Sequence, residues 1–457
     1  MTRDPLPHHQ RVAVLGLGRS GEAAARLLLH HGKAVLASDA NAHLDATALA
    51  ARLPGLEVHL GTNTLGDATA VVTSPGLPPD TPILVEAAAK GLEVIAEIEL
   101  AFRATHLPMV AVTGTDGKTT TTLMTAHLLR AAGVTAHLGG NIGTPLSEVV
   151  LAAKEGWLVV EVSAFQLPFA PTFAPQVLIA TNIAEDHMDF FHGRWDDYVA
   201  AKRRPLTVMG PETTAVLNAD NPVVRTWDRH GQAQVAWYGR TSDLANAAGA
   251  RAWVTPLSLH ATLGEACVEV PLAALRIPGA HNQLNAMAAL LGALATGVAP
   301  QPLGTALATF TAPAHRIETV RTIGAVSYVN DSKATNPHAA TAGLMTVAAP
   351  VILIAGGVDK GLHLEAWIDS MAGRVEAVVL IGELKTRLAE AIRASGSPIE
   401  IHACATMDDA VDLAAGLAAR HQAQTVLLSP GCSSYDMFTS YTHRGDAFRS
   451  AVAALVP

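Results

Sequence analysis

A loop of glycine and threonine between an apolar run and a helical pattern most constrains how this chain of 457 residues can fold. The apolar run 109–113 predicts a buried strand, and the stretch from about 118 to 132, closed by Gly133, predicts a helix. A strand that passes through a glycine turn into a helix is the repeating element of parallel α/β sheets. We therefore expect the chain to be an α/β protein.

The composition of this loop indicates what it binds. It reads Gly114-Thr115-Asp116-Gly117-Lys118-Thr119-Thr120. Glycines let successive backbone N–H groups curl around phosphate oxygens, and the helix N-terminus adds partial positive charge. Lys118 would reach the β- and γ-phosphates of a nucleotide, and the Thr119 hydroxyl would ligate Mg²⁺. Val112 stands where the usual motif has its first glycine, so the motif is a shortened one. A plain turn is the alternative, which the flanking strand and helix disfavour.

Apolar runs alternate with amphipathic stretches on both sides of this loop and predict three α/β units. We place their boundaries at 1–97, 98–311 and 312–457. Further strands are predicted at 11–15, 34–38, 70–73, 158–162, 177–181, 215–218, 325–330, 351–355, 377–381 and 425–429. The segment 232–271 has irregular strand candidates and predicts a small satellite β region.

Composition narrows the class of function. The net charge is −9 and aromatics make up 4% of the chain, whereas nucleic-acid binders need basic surfaces and often stacking platforms. Cys267, Cys404 and Cys432 form no CxxC pair, so neither a disulfide framework nor a zinc site is expected. No apolar run reaches the roughly 18 residues of a spanning helix, and the first ten residues lack the apolar core of a signal peptide. These features predict a cytoplasmic protein that binds neither nucleic acid nor membrane.

A second glycine motif, GLGRSG at 16–21, follows the first predicted strand, and Asp39 lies about 20 residues further on. Taken alone, this arrangement indicates an NAD-dependent dehydrogenase. The shared requirement is a diphosphate, however, so the same geometry can hold a nucleotide sugar. A tight strand-to-helix turn without a ligand is the third interpretation. These residues alone do not choose among the three.

Polar residues follow the strands downstream of the phosphate loop, at the end where ligands of parallel sheets gather. Glu161 ends an apolar strand, where a carboxylate is costly unless it meets a cation. Asp186 and His187 follow the next strand, and Lys202 is close enough in sequence to reach the same cavity. Each residue alone is most simply a satisfied polar group, but their common placement predicts a metal site.

Three further polar strings lie in the second half of the chain. Asn282 and Asn285 share one face of a predicted helix, although asparagines there are more often caps. The segments 330–336 and 356–361 each follow a predicted strand, and plain turns are the alternative for both.

Together these strings resemble the Mur ligase family. The resemblance covers nearly the whole chain in order, through 16–21, 73–76, 114–120, 139–143, 161–167, 182–189, 201–202, 281–285, 315–316, 330–336, 356–361 and 429–438. The string Phe165-Gln166-Leu167 favours the glutamate-adding members of the family.

The resemblance implies three domains: a Rossmann-like N-terminal domain for a UDP-sugar, a central P-loop ATPase domain, and a Rossmann-like C-terminal domain for an amino acid. It implies an ATP-dependent amide ligase that adds D-glutamate to UDP-N-acetylmuramoyl-L-alanine through an acyl phosphate, in cytoplasmic peptidoglycan precursor synthesis. The motif at 16–21 would then hold the UDP-sugar and not NAD. The residues alone do not choose between D- and L-glutamate.

The resemblance also implies roles for individual residues. The ATP-binding set is Gly114, Thr115, Asp116, Gly117, Lys118, Thr119, Thr120, Asn282, Asn285, Arg316, Asp331 and Lys333. The UDP-sugar set is Gly18, Arg19, Ser20, Asp39, Ser74, Pro75, Gly76, Asn141 and His187. The glutamate set is Thr335, Lys360, Ser434, Tyr435 and Tyr441.

For catalysis, the resemblance implies Lys118, Glu161, His187 and Lys202. Two Mg²⁺ ions would be held by Thr119, Glu161, His187 and Lys202, with Lys202 carbamylated into an anionic ligand. We also expect the protein to act as a monomer.

The chain departs from the family pattern at a few positions. Asp116 stands where many relatives carry Asn, which adds negative charge beside a triphosphate. Ala164 replaces a common Ser, and Tyr435 and Tyr441 stand where Leu and Phe are usual. The alternatives are a sibling Mur ligase, a folylpolyglutamate synthase-like ligase, an NAD-dependent oxidoreductase, or a nucleotide-sensing module without catalysis.

Overall fold

The computed structural model describes residues 2–277, 279–311, 314–359 and 361–456. It confirms the predicted α/β class, with three sheets that are mostly parallel. The chain forms two compact units. The first comprises Met1–Ile183, His187–Leu275 and Gln283–Phe310, and the second comprises Ala184–Asp186, Arg276–Asn282 and Thr311–Pro457. The first two sheets belong to the first unit and the third sheet to the second.

The N-terminal sheet has five parallel strands. They are β1 (Arg11–Leu15), β2 (Ala34–Asp39), β3 (Leu56–Leu60), β4 (Ala70–Thr73) and β5 (Glu93–Ala96). Its helices are α1 (Arg19–His30), α2 (Ala46–Arg52), α3 (Pro82–Ala89) and α4 (Glu97–Ala104). The spatial order β3-β2-β1-β4-β5 puts β1 at the centre, which is why its residues after Arg11 are all apolar and buried.

The central sheet has nine strands. They are β6 (Met109–Thr113), β7 (Ala136–Gly140), β8 (Trp157–Glu161), β9 (Val177–Ala180), β10 (Thr214–Asn218), β11 (Gln234–Gly239), β12 (Arg251–Val254), β13 (Ser258–Leu263) and β14 (Ala266–Pro271). Its helices are α5 (Lys118–Ala131), α6 (Leu146–Ala152), α7 (Trp195–Val208), α8 (Ala280–Leu294) and α9 (Gln301–Thr309). The spatial order is β14-β13-β12-β11-β10-β9-β6-β8-β7.

The predicted satellite β region at 232–271 was wrong as a separate body. Strand β11 pairs in parallel with β10, β12 pairs in parallel with β11, and the hairpins to β13 and β14 are antiparallel. These strands therefore extend the central sheet. Their sequences alternate polar and apolar residues and look irregular beside the apolar runs of the parallel strands.

The C-terminal sheet has six strands. They are β15 (Glu318–Ile323), β16 (Val326–Asn330), β17 (Val351–Gly356), β18 (Val375–Ile381), β19 (Glu400–Ala403) and β20 (Thr425–Leu428). Its helices are α10 (Pro337–Leu344), α11 (Glu365–Met371), α12 (Lys385–Ala394), α13 (Met407–Arg420) and α14 (Tyr441–Ala454). The order is β15-β16-β20-β17-β18-β19, and only β15 is antiparallel to its neighbour.

The topology places the phosphate loop in the middle of the central sheet. Strand β6 lies between β8 and β9 and is parallel to both. The segments that follow these three strands therefore all begin at the carboxyl ends of the strands. All five residues of β6 are buried, and the loop begins directly after this buried strand. Within the described ranges, no helix has the length and apolar character needed to cross a bilayer.

Candidate active site at the phosphate loop

Two glycines shape the phosphate loop. Gly114 has φ 137°, and a Cβ there would overlap the Thr181 hydroxyl. Gly117, the residue before α5, has φ 79°, and a Cβ there would overlap the Asn285 amide oxygen. Both positions combine a left-handed backbone with close packing, so both require glycine. The second overlap also shows that Asn285 of α8, to which the resemblance assigns ATP binding, lies against the loop.

The loop is anchored by the segment that follows β9. The Thr181 hydroxyl donates to the Asp116 carbonyl at 2.6 Å, and the Asp116 N–H donates to Asn182 Oδ1 at 2.9 Å. The Thr115 N–H donates to the Asn182 carbonyl at 2.8 Å. Two of the loop amides are therefore engaged by the protein itself. Sequence reasoning missed Thr181 and Asn182 as anchors because their contacts join distant parts of the chain.

Lys118 lies across the loop from which it emerges. Its ammonium donates to the Gly114 carbonyl at 2.9 Å and to the Thr115 carbonyl at 2.6 Å. The side chain is only half-buried, so its charge remains accessible from solvent. A cation in this position supplies the charge that a bound phosphate needs.

Thr119, Glu161 and Asn141 form a hydrogen-bonded chain beside the loop. The Thr119 hydroxyl donates to Glu161 Oε2 at 2.6 Å, and the Asn141 amide donates to Oε1 at 2.7 Å. The Asn141 N–H also donates to the Glu161 carbonyl at 2.8 Å. Glu161 is only 3% exposed, so these contacts hold its carboxylate in one orientation. Asn141, predicted to touch the UDP-sugar, thus also supports a predicted metal ligand.

The donor set at this point fits magnesium. Mg²⁺ prefers hard oxygen ligands and is usually held by one or two carboxylates together with substrate phosphates. The Thr119 hydroxyl and the Glu161 carboxylate are such oxygens and lie in contact. Over the described ranges, no three His, Cys, Asp or Glu side chains cluster in a way that would hold a metal alone.

The fold brings Lys202 to the phosphate loop. Its side chain is 2% exposed, and Nζ donates to the Gly114 carbonyl at 2.5 Å. It also lies 4.9 Å from the centre of the Tyr198 ring, whose hydroxyl is 2.7 Å from the Thr115 hydroxyl. His187 follows β9 with φ 57°, and its ring packs on Phe165 with the centroids 4.5 Å apart.

The N-terminal glycine loop bonds to a carboxylate, that of Asp39. Asp39 accepts the Leu17 N–H at 2.7 Å through Oδ2 and the Asn41 N–H at 2.8 Å through Oδ1. Gly16 packs so closely on Ser74 that a Cβ would push into the serine side chain. The structure therefore brings together Asp39 and the segment from Ser74, as the UDP-sugar set predicted.

Arg19 extends this region toward the central sheet. Its guanidinium donates to the Gly143 carbonyl at 2.6 Å, two residues beyond Asn141. Gly18, Arg19 and Gly76 are exposed to solvent, whereas Ser20 and Pro75 are half-buried. Exposed groups at the start of α1 are therefore available to a ligand.

In the second unit, several residues that were predicted to bind ATP or glutamate follow the ends of β16, β17 and β20. Asp331 accepts a hydrogen bond from the Ser429 hydroxyl at 2.9 Å, which joins the ends of β16 and β20. Lys333 lies 3.9 Å from the centre of the Tyr441 ring. Arg316 sits between His315 and Ile317, which have φ of 64° and 47°.

The glutamate set has unequal surroundings. Ser434 is buried and Thr335 half-buried, whereas Tyr435 is 74% exposed. Lys360 lies outside the described residues. Asn282, in the first turn of α8, is buried and its N–H donates to the Gly279 carbonyl. Sequence reasoning missed Arg444, which is 1% exposed beneath these strand ends, since nothing local marks an arginine within a helix as special.

Comparison with known proteins identifies the family. Three family models match: Mur ligase MurD-like, N-terminal domain at residues 10–96, Mur ligase middle domain at 112–293, and Mur ligase, glutamate ligase domain at 315–432. Two relatives named UDP-N-acetylmuramoylalanine--D-glutamate ligase are similar over nearly the full length. That of Pelotomaculum thermopropionicum is 38% identical over 98% of both chains. That of Syntrophus aciditrophicus is 37% identical over 97% of this chain and 98% of its own.

Solved structures support the fold. MurF from Acinetobacter baumannii matches 97% of this chain and 93% of its own, with a TM-score of 0.64 at 18% identity. Folylpolyglutamate synthase from Mycobacterium tuberculosis matches 77% of this chain and 92% of its own, with a TM-score of 0.59 at 17% identity. This chain covers 98% of the length of both relatives and is matched by all three domain models. This chain therefore belongs to the Mur ligase family.

Proposed function

We propose that this chain joins the alanyl carboxylate of UDP-N-acetylmuramoyl-L-alanine to the amine of D-glutamate, with ATP cleaved to ADP and phosphate. The observation that carries the proposal is the 38% identity, over 98% of both chains, with a relative named UDP-N-acetylmuramoylalanine--D-glutamate ligase. The phosphate loop agrees with the use of ATP, because Lys118, Thr119 and Glu161 lie together at its mouth.

The reaction has two steps. An oxygen of the alanyl carboxylate attacks the γ-phosphorus of ATP, and ADP leaves, which gives an acyl phosphate. The glutamate amine then attacks the acyl carbon, and phosphate departs with the former carboxylate oxygen while the amine loses a proton. Phosphoryl transfer of this kind depends on positioning and on neutralising spread negative charge.

The residues of the phosphate loop would provide that neutralisation. Lys118 would stabilise the charge that develops on the transferred phosphoryl group, and the start of α5 would direct backbone N–H groups toward it. Thr119 and Glu161 would hold Mg²⁺, which when bound offsets the negative charge of the phosphates. We assign ATP binding further to Asn285, which lies against the loop at Gly117.

The second ion and the carbamate also belong to this proposal. His187 and Lys202 would hold a second Mg²⁺, with Lys202 carrying a carbamate. Lys202 lies against the phosphate loop, because its Nζ donates to the Gly114 carbonyl at 2.5 Å. The 2% exposure of Lys202 supports this assignment.

The remaining substrates would bind away from the phosphate loop. The N-terminal glycine loop, with Arg19, Asp39 and Ser74, would hold the UDP-sugar, and Ser434, Thr335 and their neighbours would hold glutamate. We propose domains at 1–97, 98–311 and 312–457, which agree with the three family-model ranges. We further propose that the chain acts in the cytoplasm, where its nucleotide substrates are found, and as a monomer, because one chain supplies every predicted set.

Phosphate release tests the proposed function. The protein is incubated with ATP, Mg²⁺ and UDP-N-acetylmuramoyl-L-alanine, and each of a panel of amino acids is added, including both enantiomers of glutamate. We expect rapid release with D-glutamate only. Rapid release with another amino acid would instead indicate a sibling ligase, and no release with any of them would leave a nucleotide-sensing role. Titration with NADH, followed by its fluorescence, is expected to show no binding.

A further inference from the structure

Arg444 is a buried cation beneath the strand ends that carry the predicted glutamate residues. It lies in the first turns of α14 and is 1% exposed. Burial lowers the pKa of Arg444 to about 10, so the guanidinium remains charged at neutral pH. Burying a cation is costly unless its donors are satisfied, so its hydrogen bonds indicate what it does.

The guanidinium bonds to three separate loops. Nη2 donates to the Ser332 carbonyl at 2.8 Å and to the Cys432 carbonyl at 3.0 Å. Nε donates to the Ser332 hydroxyl at 3.0 Å, and Nη1 to the Gly356 carbonyl at 3.5 Å. Ser332 follows β16, Cys432 follows β20, and Gly356 ends β17. One planar group therefore ties together the ends of three adjacent strands.

The surroundings of the guanidinium allow little adjustment. The Ser332 hydroxyl donates onward to the Tyr441 carbonyl at 2.8 Å, which connects the first loop to the start of α14. A Cβ at Gly357 would lie 3.1 Å from Nη1 and would overlap the Ser433 carbonyl. The rigid fork of an arginine fits this geometry, whereas a lysine has a single, compact donor group that cannot reach all three loops at once.

We infer that Arg444 is a positioning residue for glutamate, which it places by holding these three loops in register. The inference rests on the proposed function. Ser434 lies two residues beyond Cys432, and Thr335 lies three residues beyond Ser332. Glutamate presents two carboxylates and an amine, so residues of more than one loop must recognise it together. A shift of about 1 Å between such loops is enough to cost a large part of the rate.

A matched pair of arginines tests the inference. Arg374 is also in the second unit, and its Nη2 donates to the Val347 carbonyl at 2.7 Å and the Leu344 carbonyl at 3.3 Å. It precedes β18 and so lies at the opposite end of the strands. Arg444→Lys and Arg374→Lys are compared with the wild type for KM of D-glutamate, KM of UDP-N-acetylmuramoyl-L-alanine, kcat and melting temperature.

We expect Arg444→Lys to raise the KM for glutamate at least about tenfold while the KM for the UDP-sugar stays within about twofold. Arg374→Lys is expected to leave both KM values near those of the wild type. Ser332→Ala removes one acceptor of Arg444 and the donor to the Tyr441 carbonyl. It is expected to raise the KM for glutamate by a few-fold and keeps the test open if Arg444→Lys does not fold. In Arg444→Ala, added guanidinium ion is expected to lower the glutamate KM again.

An unchanged glutamate KM in Arg444→Lys or in Ser332→Ala would overturn the inference, as would an equal rise of every KM in both arginine variants. Its failure is distinct from failure of the proposed function. If the wild type releases no phosphate with glutamate, the proposed function itself fails, and this inference falls with it. If the wild type is active and Arg444→Lys binds glutamate normally, only the role of Arg444 is lost.

Discussion

The loops after β1 and β6 have similar sequences, but the side chains that bond to their backbones have opposite charges. Both are glycine turns between a central parallel strand and a helix. In the first, the carboxylate of Asp39 accepts the Leu17 N–H. In the second, the ammonium of Lys118 donates to the carbonyls of Gly114 and Thr115. A carboxylate therefore accepts from the backbone of the first loop, and an ammonium donates to the backbone of the second.

A glycine loop alone therefore does not identify a ligand. The carboxylate of Asp39 beside the first loop opposes a triphosphate but can accept hydrogen bonds from sugar hydroxyls, because each oxygen has a second lone pair. The cation of the second loop favours a triphosphate. We therefore expect changes in the two loops to affect different substrates.

Lys118→Ala should have the largest effect. Removing the Lys118 ammonium from the loop mouth should lower phosphate release with all substrates by at least about 10²–10³-fold, the range seen when a donor to a transition-state charge is lost. The exposed Lys154 provides the matched control, and Lys154→Ala should keep wild-type turnover. Turnover at the wild-type rate in Lys118→Ala would end the assignment of the phosphate loop.

Lys202→Ala should also lose most activity, because the carbamate would be absent from the metal site. A short-chain carboxylate such as formate or acetate is expected to restore part of the rate by supplying the missing anion. Lys118→Ala is the control here, since a carboxylate cannot replace a cation. Full activity in Lys202→Ala without any additive would remove the carbamate hypothesis.

Asp39→Ala tests the other loop. Two backbone N–H groups, those of Leu17 and Asn41, would lose their acceptor, at a cost of about 1–3 kcal/mol each if left unpaired. We expect the KM for the UDP-sugar to rise about tenfold or more and the KM for ATP to stay near its original value. Asp39→Asn, which retains one acceptor oxygen, should show a smaller rise. A selective rise in the KM for ATP would reverse the roles of the two loops.

Asp116→Asn should give the smallest effect. The change removes a negative charge from the phosphate loop, and charges near a surface interact by about 1 kcal/mol or a few times that. The KM for ATP should therefore fall by a few-fold, and the gain should shrink as salt is added. Asp116→Glu, which keeps the charge, is the control. A KM for ATP that is unchanged or higher in Asp116→Asn would show that the acid does not oppose the nucleotide.

The position of a strand in its sheet explains whether the sequence predicts it. The strands that apolar runs predict, such as β1, β6 and β17, lie inside their sheets. The strands that the pattern misses, β3, β5, β7, β15 and β19, are all sheet edges. Edge strands are partly solvated, so their sequences alternate or carry glycine, as in Leu56–Leu60 and Ala136–Gly140.

The site shows the same limit. The loop residues from Gly114 to Thr119 are predictable because their chemistry depends on neighbours in sequence. The contact of Asn141 with Glu161 joins residues 20 positions apart, and those of Arg444 with Cys432, Gly356 and Ser332 join residues 12, 88 and 112 positions apart. Only the folded chain brings these groups together, so no local pattern marks them.

The most direct test of the proposed chemistry follows the oxygen atoms of the alanyl carboxylate. UDP-N-acetylmuramoyl-L-alanine labelled with oxygen-18 at both carboxylate positions is converted with ATP and D-glutamate, and the released phosphate is analysed by mass spectrometry. Because the attacking carboxylate oxygen departs with the phosphate, we predict one labelled oxygen in each phosphate and the other in the new amide. Ligated product accompanied by unlabelled phosphate would contradict the acyl-phosphate mechanism.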